Sequence, residues 1–300
     1  MKILNTEEYI VEKLNIKPKS KEWLDKYSNE KIIDHNAQSF IDEFRLVYNK
    51  ATMRYDSITN VFVDNRIVKD GRLTIKFGVV SGDFECSKCG LTTLYGAPTE
   101  VNGSFYCDKN NLTSLNGIPK AIGLHFDCSY NAIKSLDGAP QTVNGYFNCS
   151  HNKLESLKYS PQKVGENYIC SHNLLKSLEG APKELSRHFN CSNNELTNLK
   201  GAPQKIGASF HCSDNNLTSL EGAPQKVNSF DCRNNQLTSL EGAPRKVTNS
   251  FDCRNNQLTS LEGAPQKVKF IFWCAGNPNL VLPKEKPDWI GDKIDNTTEA

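Results

Sequence analysis

Along most of this chain the apolar positions return on a fixed beat. A Phe and a Cys two residues apart open each unit. Two Leu follow at five and eight residues past the Cys, and a Val, Ile or Leu stands at fifteen. Cys86, Cys107, Cys128, Cys149, Cys170, Cys191 and Cys212 are 21 residues apart. One step of 20 leads to Cys232, and 21 returns for Cys253 and Cys274. The alternation Phe-x-Cys predicts a short strand with both side chains inward. A fixed period in the range of about 20–50 residues predicts a solenoid, in which each unit buries its apolar face against its neighbours. Pro at twelve past the Cys fixes an extended return limb and removes an N–H that would lack a ladder partner.

The polar positions carry as much information. Asn stands three residues past the Cys from Asn110 to Asn277. Buried once per turn, its amide is expected to satisfy the peptide groups of the bend after the strand. The first unit has Cys89 there, so that Cys86 and Cys89 resemble a metal knuckle. Without a second pair or a nearby His, a rung position is the better reading. Tyr159-Ser160 stands where the flanking units have Gly-Ala and reads as drift, with a strain of roughly 1 kcal/mol if that position needs φ > 0.

The ends break the pattern. Thr6 to Asn15 and Ser20 to Tyr27 read as short helices. A stronger one runs through Phe40, Ile41, Phe44, Val47 and Tyr48, with Ser39 as its N-cap. Residues 1–59 are therefore expected to form a helical N-terminal cap. Residues 60–282 are expected to form the solenoid, about ten repeats after a degenerate first one with Val63 at the cysteine position. Residues 283–300 form a C-terminal cap and polar tail, in which Pro283, Pro287 and Trp289 stop and cover the stack and residues beyond Ile290 fray.

The run x-Phe-x-Cys-x-x-Asn-x-Leu-x-x-Leu resembles the leucine-rich repeat, with Phe and Cys at two of its Leu positions. The Pro-containing return limb is similar to the short repeats of bacterial leucine-rich effectors. The wording Leu-Thr-Ser-Leu-Glu-Gly-Ala-Pro-Gln-Lys-Val resembles leucine-rich repeat proteins of large bacteriophages. The resemblance covers about residues 60–282. It implies a leucine-rich repeat arc with a parallel β-sheet on its concave face, a mostly irregular convex side and a small α-helical N-terminal cap. It also implies a protein-interaction module, as a phage factor that binds and modulates a host protein. Alternatives are a structural or virion-associated accessory protein, and a ligand or nucleic-acid binder on the concave face. The catalytic domain that follows the repeats in some effectors has no counterpart in the sequence, so no enzymatic activity is expected.

Charge and cysteine use narrow this further. The formal net charge is +2. Residues 1–80 carry 14 Lys+Arg against 12 Asp+Glu, and the rest is balanced. No long-range field for nucleic acid or anionic lipid is present. No window has the ~18 apolar residues of a membrane helix, and the first residues do not read as a signal peptide. Eleven cysteines at one position per unit read as buried, reduced thiols and point to a cytoplasm, that of the host if the chain is phage-encoded. No catalytic constellation, cofactor or metal site is expected, and the expected partner is a protein.

Outward strand positions offer the candidate surface. His125, Tyr130, Tyr146, His151, His172, His188 and His211 cluster in the central units, where Tyr and His combine contact area with hydrogen bonding. Asp231, Arg233, Asp252 and Arg254 form a secondary charge lattice near the C-terminal end. The thiol ladder is directly testable. A thiol reagent should label the ten periodic cysteines slowly in buffer and rapidly in denaturant; rapid native labelling of most of them contradicts burial.

Overall fold

The structure is a computed structural model, described here for residues 35–297. The two helices expected before residue 30 lie outside the described residues. Helix α1 (His35–Glu43) buries Ala37, Phe40 and Ile41. It begins before Ser39, which sits inside it, and stops earlier than expected. Leu46 N–H donates to Ile41 O at 2.9 Å, and Arg45 takes a left-handed φ of 49°. That closure is the αL-type stop of a helix C-terminus. Val47 and Tyr48 are then free to enter a hairpin of β1 (Val47–Asn49) and β2 (Arg54–Ser57), where Tyr48 packs on Tyr55. The Tyr48 ring gains a cross-strand aromatic partner that a longer helix would deny it.

Behind this cap the chain stacks into a leucine-rich-repeat solenoid. Its main sheet has twelve strands, eleven of them from β3 (Val61–Phe62) to Ile271–Trp273, and Lys293–Asp295 adds the twelfth. All are parallel and paired rung on rung, so that Phe84 meets Phe105 and Phe230 meets Phe251. Val61 pairs with Phe84, which places Val63 at the cysteine position as expected. At ~4.8 Å per strand the sheet is roughly 50 Å long. The opposite side is not wholly irregular: two-residue strands such as Lys226–Val227 and Lys246–Val247 pair in short parallel ladders.

The interior is a set of columns. Phe rings lie over one another, for example Phe84 on Phe105 at 5.8 Å and Phe251 on Phe272 at 5.2 Å. The ten periodic cysteines are fully buried and unpaired. Burial pushes their thiols up, so they stay protonated. They are not only small hydrophobes. Cys149 Sγ lies 3.4 Å from Ile169 O and Cys253 Sγ 3.2 Å from Trp273 O, each donating to the carbonyl that already accepts the same cysteine's N–H.

The asparagine column does what the sequence suggested. Asn173 Oδ1 accepts from Leu154 N–H at 3.0 Å, while its Nδ2 donates to Cys149 O and Cys170 O, both at 3.1 Å. The same bonds recur at Asn110, Asn215 and Asn256. Cys89 substitutes in kind: its Sγ donates to Val63 O at 3.4 Å, the carbonyl an Asn would reach.

Two details depart from the sequence reading. Lys293–Asp295 does not fray; it adds to Ile271–Trp273, and Cys274 N–H donates to Asp295 O at 2.9 Å. Trp289 packs edge-on against Phe272 at 5.3 Å, covering the last rung as expected. Ser160 is also more than drift. Its hydroxyl meets the Tyr168 hydroxyl at 2.6 Å, both buried, so the Tyr that opens the next rung in place of Phe is matched by a Ser in place of Ala at the end of the rung before it. A buried phenol needs such a partner. Tyr168→Phe should therefore cost about 1–3 kcal/mol by stranding the Ser160 hydroxyl. Adding Ser160→Ala should restore most of it, which a denaturant-unfolding double-mutant cycle measures.

Candidate functional site: the concave face

The bend after each strand has one conformation throughout. The residue two past the cysteine is left-handed at Lys88, Lys109, Tyr130, His151, His172, Asn193, Asp214, Asn234 and Asn255, with φ between 52° and 58°, and Gly276 continues the row. Its N–H donates to the next rung, as His151 N–H does to Ser171 O at 3.0 Å. Asn, Asp and Gly suit this conformation; Lys and Tyr are strained in it. The C-terminal rungs carry the suited residues. The first five carry Lys88, Lys109, Tyr130, His151 and His172.

From Lys109 to His172 those side chains form a stack. The Tyr130 and His151 rings are 4.0 Å apart and 10° from parallel, and His151 and His172 are 3.9 Å apart and 12° from parallel. Lys109 Nζ lies 5.5 Å from the centre of the Tyr130 ring, on a cation–π approach. The parallel packing pitch of the sheet sets these separations, because neighbouring strands are ~4.8 Å apart. Face-to-face imidazoles direct their ring-plane lone pairs the same way, so His151 and His172 do not converge on one ion. Among the described residues no group of three or more His, Cys, Asp or Glu is arranged to hold a metal.

The remaining predicted histidines lie elsewhere on the face. His125 and His188, three residues before their cysteines, accept hydrogen bonds from the next rung: Tyr146 N–H to His125 Nδ1 at 3.0 Å and Ser209 N–H to His188 Nδ1 at 3.3 Å. Asp83 and Asn167 do the same at this position for Ser104 and His188. Tyr146 stacks on His125 at 4.3 Å. Burial, followed by Asp127 and Tyr106, pushes its phenol up. His211 Nδ1 is 3.9 Å from Asp231, and its ring is 6.1 Å from His188. The seven candidates thus separate into one continuous stack and two smaller groups.

The charge lattice is satisfied within itself. Arg254 chelates Asp252 at 2.8–3.2 Å, and Asp252 is buried. Arg233 lies 3.7 Å from Asp231 and 3.9 Å from Asp252. Lys88 and Lys109 share this outward column, although neither stands among the residues expected to bind. The signal was present in the Asn, Asp and Gly residues of the same column, which mark a left-handed position.

The chain matches no protein-family model and no curated protein. Solved structures with a similar course include YopM from Yersinia enterocolitica WA-314, at 20% identity over 74% of this chain and 63% of that one, with a TM-score of 0.47. Others are a leucine-rich repeat protein from Bacteroides thetaiotaomicron, at 14% identity over 69% of this chain and 29% of that one with a TM-score of 0.47, and the functional domain of InlJ from Listeria monocytogenes, described as including a cysteine ladder, at 20% identity over 67% and 55% with a TM-score of 0.37. The chain spans less than two thirds of the length of each. Among the described residues no helix is long and apolar enough to cross a membrane.

The histidines make the face sensitive to acid. Burial and then His172 lower the pKa of His151; burial, His211 and Arg187 lower that of His188. A depressed folded-state value means stability that is present above the unfolded value of about 6.5 and lost as pH falls through the folded one. The melting temperature should therefore drop as pH is lowered from about 7 to about 5. In the double variant His151→Asn with His188→Asn, which keeps an acceptor for Ser209 N–H, that drop should be smaller in a thermal-melt series.

Proposed function

We propose that this chain is a non-enzymatic protein-interaction module that binds a folded protein partner on its concave face. The reading rests on the left-handed column: three consecutive rungs keep Lys88, Lys109 and Tyr130 in a strained conformation that Asn, Asp or Gly serves in the later rungs, and His151 and His172 continue the row as stacked rings. Strain held at a surface position is expected where the side chain has a use outside the fold. A sheet that fixes aromatic and cationic groups in place loses little entropy on binding. Tyr130, His151 and His172 supply the centre of contact, with Tyr146, His125, His188 and His211 along the neighbouring columns. The Asp231, Arg233, Asp252 and Arg254 lattice contributes only at the margin, since its charges already neutralise one another.

The wording of the repeat supports the narrower proposal of a phage-encoded factor that modulates a host protein in the host cytoplasm. A ladder of protonated, buried thiols suits a reducing compartment. The near-neutral charge supports a protein over nucleic acid as the partner.

Tyr130→Asn, His151→Asn and His172→Asn together install the residue best suited to the bend. The triple variant should melt higher than wild type, by about 0.5–2 kcal/mol of stability, through relief of strain. It should also lose the partner captured from host lysate by the wild-type chain. Asp252→Ala with Arg254→Ala should keep that partner. Retained capture by the triple variant overturns the concave-face reading, and recovery of the chain in purified virions favours a structural role.

A further inference from the structure

The convex side carries a second pattern, independent of the concave face. Nine and fourteen residues past each cysteine stand two exposed columns that run along the solenoid. In the middle rungs both alternate in sign and neutralise themselves. Lys200 pairs with Glu221 at 3.0 Å in the first column, and Lys205 pairs with Glu184 at 2.5 Å in the second. Over the last three complete rungs the alternation stops. One column becomes Glu221, Glu241, Glu262, and the other Lys226, Lys246, Lys267, all exposed.

The lysines are held in direct register, Lys226 opposite Lys246 and Lys246 opposite Lys267. Like charges directly opposite are unfavourable in a sheet. Of the six side chains only Glu221 has an ion-pair partner among the described residues. The strip between the columns is firm. Backbone bonds join its rungs: Lys246 N–H donates to Gln225 O at 3.1 Å and Gln266 N–H to Arg245 O at 2.9 Å.

We infer that this strip is a self-association surface, occupied by a second copy of the chain. The columns have equal length, opposite sign and the same pitch, which the sheet fixes at ~4.8 Å per rung. A two-fold axis parallel to the solenoid lays the lysine column of each copy on the glutamate column of the other, and the contact closes on itself. A polyanion such as nucleic acid or an anionic membrane meets the glutamate column as well and is repelled by it. Two convex arcs placed back to back touch over a short stretch, in keeping with single-sign columns three rungs long. The contact is small, so the association is weak and sensitive to salt.

Sedimentation equilibrium of the full chain, at high protein concentration and about 20 mM salt, should show a dimer that weakens at least tenfold at about 500 mM salt. Triple Lys→Glu exchange at 226, 246 and 267 should give a monomer, as should triple Glu→Lys exchange at 221, 241 and 262. An equimolar mixture of the two, each checked for a native circular-dichroism spectrum, should dimerise again. Lys246→Glu and Glu241→Lys supply the same comparison if either triple variant fails to fold. A wild-type monomer under these conditions, a dimer indifferent to salt or to the charge reversals, or a mixture of folded variants that stays monomeric overturns the inference.

Discussion

Everything in this molecule rests on the bend that ends each strand, and the bend rests on one amide. When the chain turns away from the sheet it exposes carbonyls at the cysteine and an N–H at the first Leu, in a place water does not reach. Asn three past the cysteine serves those groups within its own rung and in the rung before it. Leaving even one such group unpaired costs about 1–3 kcal/mol. The same bonds that close a turn therefore join it to its neighbour, and the stack has no weak seam between units. The cysteine adds a thiol bond that runs the other way, to a carbonyl of the rung that follows.

Because the bend is fixed by backbone and amide, the residue at its apex is held left-handed whatever its side chain. The bend separates structure from use. In the later rungs Asn193, Asp214, Asn234, Asn255 and Gly276 serve the backbone. In the earlier rungs Tyr130, His151 and His172 stack on one another at the spacing the sheet dictates. His125 and His188, which look equivalent in sequence, are committed to inter-rung hydrogen bonds and serve the fold as much as any surface.

The repeating interior was legible in the sequence because each of its positions is decided by burial alone and is sampled about ten times. Phe84, Cys107, Leu112 and Asn110 could be placed before any coordinate was known. What escaped was whatever occurs once. The strand Lys293–Asp295 has no apolar alternation of its own and exists because the last rung offers it an open edge. Ser160 became meaningful only beside Tyr168, in the following strand. The end of α1 was misjudged because Phe44 and Val47 keep helical spacing while Arg45 breaks the backbone between them. The stacked rings were visible as a cluster, but their separation into columns followed only from the backbone at the bend.

The near-identity of two late rungs has a consequence for how the chain finds its length. Phe230–Val247 and Phe251–Val268 differ at a single residue, Arg245 against Gln266. A stack that skips one of them and loops it out keeps almost every local bond, and the entropy of a loop grows only slowly with its size. Interior packing alone thus discriminates poorly between the full stack and one a turn short. The discrimination comes from the end. Trp289 fits edge-on against Phe272, Val268 N–H donates to Trp289 O at 2.7 Å, and Asp295 O receives Cys274 N–H. These tie the closing segment to one particular rung. In a chain built from interchangeable parts, the cap acts as the counter that tells the solenoid where to stop.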